Sequence, residues 1–123
     1  MSSLPLTNYL RTNRKRLALT QDEVAFLLGF RGANNGPKVC RDEKFTREPK
    51  LRMVLAYEVI YQKPVRDLFA GLYRQIEEEV AERAKILNFR KDPKPSQRVA
   101  HKRQVLAGLA ARQSEQSVNP PQT

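Results

Sequence analysis

Thr20 to Pro49 read TQDEVAFLLGFRGANNGPKVCRDEKFTREP, and the fold follows from how this stretch is parsed. Thr20 can accept a bond at a helix N-terminus and Glu23, three residues on, can return one, which is a capping box. Val24, Leu27 and Leu28 then form one apolar stripe with Ala25 beside it, and Gly29 supplies a left-handed cap. The turn FRGANNG, Phe30 to Gly36, contains the turn dipeptide Asn35-Gly36 and a second bending point at Gly32. It reads either as a longer solvated loop or as a phosphate-gripping one that uses Arg31 and backbone amides. A second short helix starts with Pro37 in its first turn and runs to about Phe45, carrying Lys38, Arg41 and Lys44 and burying mainly Val39. A short basic helix held at an angle by an apolar one is a helix-turn-helix.

Working outward, a first helix spans about Pro5 or Thr7 to Leu17. Its inner face is Leu6, Tyr9 or Leu10, Asn13 and Leu17, with Arg11, Arg14, Lys15 and Arg16 crowding the rest. After the polar segment TREPK, Pro49 can start a fourth helix. There Leu51, Val54, Leu55, Glu58 and Val59 recur at helical spacing, with Met53, Ala56, Tyr57 and Ile60 adding apolar surface. This most hydrophobic stretch is expected to be the central core helix, with Glu58 left at its rim. Pro64 opens a fifth helix that is expected to continue to Leu87 along Phe69, Tyr73, Ile76, Val80, Ala84 and Leu87. That is a straight-helix period and not a seven-residue repeat. Its other face carries Glu77, Glu78, Glu79 and Glu82. Lys91-Asp92-Pro93-Lys94-Pro95 reads as a linker, Ser96 can cap a further helix to about Arg112, and SEQSVNPPQT at the end reads as disordered. The chain thus divides into residues 1–89 and a basic, partly helical tail, residues 90–123, and its fold class is all-α.

Composition narrows the function. The net charge of +10 is segregated: residues 1–20 carry +4, 31–52 carry +4 and 88–123 carry +5, while 21–30 carry −2 and 53–87 carry −1. Positive charge is concentrated on the first helix, the second half of the motif and the tail, which suits a polyanion. The apolar runs are too short to span a bilayer, and the N-terminus lacks an apolar signal core, so a cytoplasmic protein with no membrane partner is expected. Cys40 is the single cysteine, which excludes an internal disulfide and a cysteine metal cluster. It reads as half-buried packing or as a redox-sensitive thiol beside Arg41. One cysteine on a basic helix and one histidine, His101, in a polar tail make no nucleophile–base pair, and no phosphate-binding glycine loop or dinucleotide fingerprint is present. No enzymatic step and no cofactor are expected. The scarcity of aromatics among the basic residues argues against a stacking platform for single strands.

Gln21, Val24, Ala25, Gly29, Val39, Glu43, Pro49, Leu51 and Ala56 resemble the lambda-repressor-like (Xre/Cro-type) helix-turn-helix family over about residues 6–70. Two departures stand out. Val39 lies ten residues after Gly29 where the family places its buried aliphatic about six after, an insertion of four in the turn. Asp42 falls where the family has an apolar residue. The resemblance implies a five-helix domain that binds double-stranded DNA as a homodimer, here with an extended fifth helix and a basic C-terminal extension. It implies a nucleoid-associated transcriptional regulator, either a repressor or an antitoxin with a toxin partner. A protein-interaction module that no longer touches DNA is the competing class. By the same resemblance, Gln21 meets a phosphate at the start of the second helix, Arg41 reads a base, and Arg14 pairs with Glu43 to tie the first helix to the third. Lys38 and Asn35 are further base-contact candidates, and Lys44, Arg47 and Lys50 suit backbone contacts, because Lys and Arg charge supplies affinity while base-edge bonds supply specificity.

Overall fold

The computed structural model of the chain describes residues 7–90, Lys94 and 96–118, with side chains as far as Arg112. The described residues form seven helices and no strand. The helices are α1 (Leu10–Arg16), α2 (Gln21–Leu27), α3 (Gly36–Lys44), α4 (Leu51–Tyr61), α5 (Val65–Leu68), α6 (Ala70–Phe89) and α7 (Gln97–Val118). The chain forms two compact units, Met1–Tyr73 and Arg74–Thr123, whose boundary falls inside α6. The expectations that rest on Pro5, Leu6, Lys91, Asp92, Pro93, Pro95 and residues 119–123 lie outside the described residues.

In the first unit, Leu10, Val24, Ala25, Leu28, Val39, Tyr57, Tyr61, Leu68 and Phe69 make one buried core drawn from α1 through α5. Helix α1 begins at Leu10, later than expected, because the Asn8 side chain accepts the Leu10 N–H at 3.1 Å and gives the helix its start. Arg14, Lys15 and Arg16 occupy its last turn, where positive charge is favoured by the helix dipole. The N-terminal segment is tied down by the Tyr9 N–H to the Leu68 carbonyl at 2.6 Å, and α1 by Arg16 to the Tyr61 carbonyl at 2.9 Å.

Helix α2 has the capping box read from its sequence. Thr20 Oγ1 accepts from the Glu23 N–H at 3.0 Å, and Glu23 Oε1 accepts from the Thr20 N–H at 2.8 Å. It ends at Gly29, φ +102°, with the Phe30 N–H returning to the Ala25 carbonyl at 3.1 Å. The buried face is Val24, Ala25 and Leu28; Leu27, expected on that stripe, is half exposed.

Two further expectations are corrected. The fourth helix buries Tyr57 and Tyr61, stacked 5.7 Å apart, and leaves Leu51, Leu55 and Val59 exposed. Its pattern is apolar on every side, so periodicity alone does not choose the buried face. The fifth helix is interrupted: α5 stops at Phe69, φ −117° and ψ 44°, and α6 starts at the next residue. Leu68 and Phe69, at the break, both lie in the core. Glu58 is not an idle rim residue, since its Oε1 accepts the Val65 N–H at 2.8 Å and so caps α5.

In the second unit, the far part of α6 and α7 run antiparallel. Arg112 Nη2 bonds Glu77 Oε2 at 2.7 Å, and Arg103 bonds Asn88 Oδ1 at 3.0 Å together with the Asn88 and Arg90 carbonyls. The buried apolar residues here are Ala81, Ala84 and Leu106. Ile76, Val80 and Leu87 of the expected stripe are each a little under half exposed. Arg74 and Glu78 pair at 3.6 Å, as their spacing predicts. Helix α7 continues through Ser114–Val118, past the expected end, because no helix breaker occurs before Pro120.

Candidate nucleic-acid interface

Three polar anchors fix α3 against its neighbours. Gly36, its first residue, lies so close to α2 that its N–H donates to Asp22 Oδ1 at 2.9 Å, and a Cβ at this position would stand 2.7 Å from that same oxygen. Gly36 therefore serves close approach and not the turn. The positive φ values of the turn fall at Gly29, Gly32 and Asn34.

Arg14 forks onto Glu43, with Nε to Oε2 at 2.6 Å and Nη2 to Oε1 at 3.2 Å, and its Nη1 donates to the Leu19 carbonyl at 3.1 Å. The side chains are 12% and 4% exposed, so the pair is largely withdrawn from water. The bond to Glu43 raises the Arg14 pKa further above its usual value, which burial alone would lower. Gln21 Nε2 adds a third donor to Glu43 Oε1 at 3.1 Å, joining α2 to the pair.

Asp42 is buried at a position where an apolar residue fits the pattern; Tyr57 donates its hydroxyl to Oδ2 at 2.8 Å, while Oδ1 is buried without a hydrogen bond. Arg47 stands 3.7 Å from Oδ1, and Asn8 donates to the Asp42 main-chain oxygen at 3.1 Å. Burial pushes the Asp42 carboxyl above the usual carboxylate range, opposed by the Tyr57 bond and the Arg47 charge. Burial, with Asp42 beside it, likewise pushes the Tyr57 hydroxyl far up, so it stays a donor. Gly36, Val39 and Asp42 thus form the inward face of α3, three residues apart each time. Arg41 and Lys44 are turned outward and exposed.

The predicted site residues do not all converge. Gln21, Arg41 and Lys44 line one open groove with Thr20, Gly36 and Pro37. Arg31 is exposed on the turn, and Asn35 donates through Nδ2 to the Arg31 and Gly32 carbonyls at 2.9 and 3.2 Å, which makes it a staple of that turn. Lys38 lies over the Phe30 ring, 4.3 Å from its centroid, a cation–π contact that steers it toward the turn. Arg47 is half exposed and turned toward Asp42. A second groove adjoins the first through Gln21, Cys40 and Lys44 and brings in Arg11 of α1. Sequence reasoning did not single out Arg11; the signal was its position three residues before Arg14, on the same helical face. Cys40 is half-buried, which fits packing.

The geometry therefore offers an open, basic groove at the junction of α2 and α3, built on buried ion-pair and hydrogen-bond anchors. Among the described residues no helix is long and apolar enough to cross a membrane. No protein-family model, no curated protein and no solved structure matches this chain.

Proposed function

We propose that the chain is a lambda-repressor-like, Xre/Cro-type helix-turn-helix regulator, cytoplasmic and associated with the nucleoid. In this reading it binds double-stranded DNA sequence-specifically as a homodimer and represses transcription without an enzymatic step. One observation carries the reading: Arg41 and Lys44 project from α3 beside Gln21 of α2, while Gln21–Glu43 and Asp22–Gly36 tie the two helices together and Arg14–Glu43 ties α3 to α1. Such rigidity is what base-edge recognition needs, because a bidentate contact fails when its donor is misplaced. Arg41 is the specificity residue, its planar fork matching the two acceptors of one guanine edge. Lys44 and Gln21 contact phosphates, with Arg11, Arg31 and Arg47 on the surrounding basic surface.

A protein-binding role, as in an antitoxin, draws on Phe26 and Leu27, 77% and 51% exposed on α2. Selection of bound duplexes from a random DNA pool separates the two. Enrichment of one motif supports the regulator; absence of enrichment together with absence of duplex binding at low salt leaves the interaction module.

A further inference from the structure

The α6–α7 pair of the second unit separates its charge along its length. Bonds between the helices mark its two ends: Arg112 meets Glu77 near one, and Arg103 meets Asn88 near the turn at the other. The described residues from 83 to 107, at the turn end, include seven Lys and Arg and no Asp or Glu. Residues 74–82 and 108–112, at the other end, hold two Arg against Glu77, Glu78, Glu79 and Glu82. The glutamates of α6 are thus placed toward the opposite end, and the last of them, Glu82, reaches as far as Lys85 at 3.2 Å.

Arg83, Lys85, Arg90, Lys94, Arg98 and Lys102 are exposed, and Arg103 is turned onto the Asn88 and Arg90 carbonyls. The inward residues of the pair are Ala81 and Ala84 on α6 and Leu106 on α7. Counted from these at about 100° per residue, with the helices antiparallel, Arg83, Arg98 and Lys102 fall on one face. At about 1.5 Å per residue they spread over about 14 Å of its length. A solvated helix surface ordinarily mixes the two signs, because like charges four residues apart, as Arg98 and Lys102 are, cost stability. Cations gathered without counter-charge repel one another and draw in anions. A small anion occupies a single point, whereas charges spread in this way fit a polyanion. Duplex DNA presents one negative charge per about 1.7 Å of its axis.

We propose that the turn end of the α6–α7 pair is a second phosphate-binding surface, which holds duplex DNA by its backbone without regard to sequence. The proposal deepens the DNA-binding reading by giving the second unit a contact of its own, and rests on that reading for the choice of DNA among polyanions. Lys and Arg on this face displace cations condensed on the duplex, so the affinity they add falls steeply with salt. Leu87 and Val105, 41% and 48% exposed on the same face, supply little of the apolar area by which a helix enters a lipid surface.

The test uses the full chain and a duplex of unrelated sequence. Arg83→Gln, Arg98→Gln and Lys102→Gln together remove three charges from the face. Arg52→Gln, Lys63→Gln and Arg66→Gln, at exposed positions of the first unit, remove the same number as a control. The first triple should weaken binding at least about tenfold relative to the control, and should reduce the slope of log affinity against log salt by about 2.7, or about 0.9 for each contact. Its helical circular dichroism should be unchanged. Should it lose helix, Arg98→Gln and Arg98→Glu singly carry the test, the second weakening binding more. Affinity and slope equal to the control's, or no duplex binding by wild type at low salt, would overturn the proposal. So would loss of binding to phosphatidylserine vesicles with duplex binding left at the control's level, which makes the face a lipid one. Sequence preference enters none of these readings. A chain with no preferred site whose duplex binding still falls with this triple contradicts the regulator and sustains the proposal.

Discussion

Replacing Glu43 with alanine removes the acceptor of three bonds at once: two from Arg14, at 2.6 and 3.2 Å, and one from Gln21 at 3.1 Å. Arg14 is left with the Leu19 carbonyl alone and with 12% of its side chain in water. Breaking one partner of a buried pair costs about 3–5 kcal/mol, chiefly because the remaining charge is unmatched. The surviving carbonyl bond and the partial exposure place Glu43→Ala near the lower end, about 3 kcal/mol. Glu43→Gln keeps an acceptor but loses the charge, so about 1.5–3 kcal/mol is expected and the loss should be the smaller of the two. Replacing both residues together, Arg14→Leu with Glu43→Leu, removes the stranded charge and should be less damaging than Glu43→Ala alone. Urea unfolding of the full chain, followed by helical circular dichroism, gives the ranking. A loss below about 0.5 kcal/mol for Glu43→Ala, the range of ordinary surface substitutions, would refute the buried pair.

Tyr57→Phe leaves the Asp42 carboxylate without its 2.8 Å donor and should cost about 1–3 kcal/mol. Asp42→Asn removes a buried carboxyl whose folded pKa lies above its usual 3.8, so protonation favours the fold. The ionised form therefore burdens the native chain above that folded pKa, and the burden is relieved as pH falls through it. Wild type should gain on Asp42→Asn when melting temperatures are compared from neutral pH down toward the carboxylate range; a gap moving the other way contradicts the assigned burial. Gly36→Ala presses a methyl to 2.7 Å from Asp22 Oδ1 and should destabilise by about 1–3 kcal/mol as overpacking does, although alanine is the better helix former. In an Asp22→Ala background the clash is gone, and the same substitution should become neutral or stabilising in the same unfolding assay.

What could be read from sequence was local or chemically forced. The Thr20–Glu23 capping box, the Gly29 cap and the inward Val39 follow from short-range patterns. The Arg14–Glu43 pair followed from resemblance. The face of α4 was not legible, because apolar residues occupy its whole circumference. What selects Tyr57 and Tyr61 is a distant partner, the buried Asp42 that needs the Tyr57 hydroxyl, and their mutual stacking. The interruption at Phe69 was hidden for a similar reason: no proline or glycine stands at residue 69, and the apolar period continues across it. Among the candidate residues, Gln21, Arg41 and Lys44 converge. Asn35 and Lys38 are drawn toward the turn by the Arg31 carbonyl and the Phe30 ring, contacts that depend on how an eight-residue connection closes.

The central claim is that α3 reads DNA through Arg41. Its most direct test is the affinity of wild type, Arg41→Ala and Lys44→Ala for the best selected duplex and for each single-base variant of it. Arg41→Ala should lose about 1–3 kcal/mol on the best site and become indifferent to one base pair in each half-site. Lys44→Ala should weaken every duplex alike and reduce the salt dependence of log affinity by about 0.9 per phosphate contact removed. Equal losses on all sequences for Arg41→Ala would contradict the account.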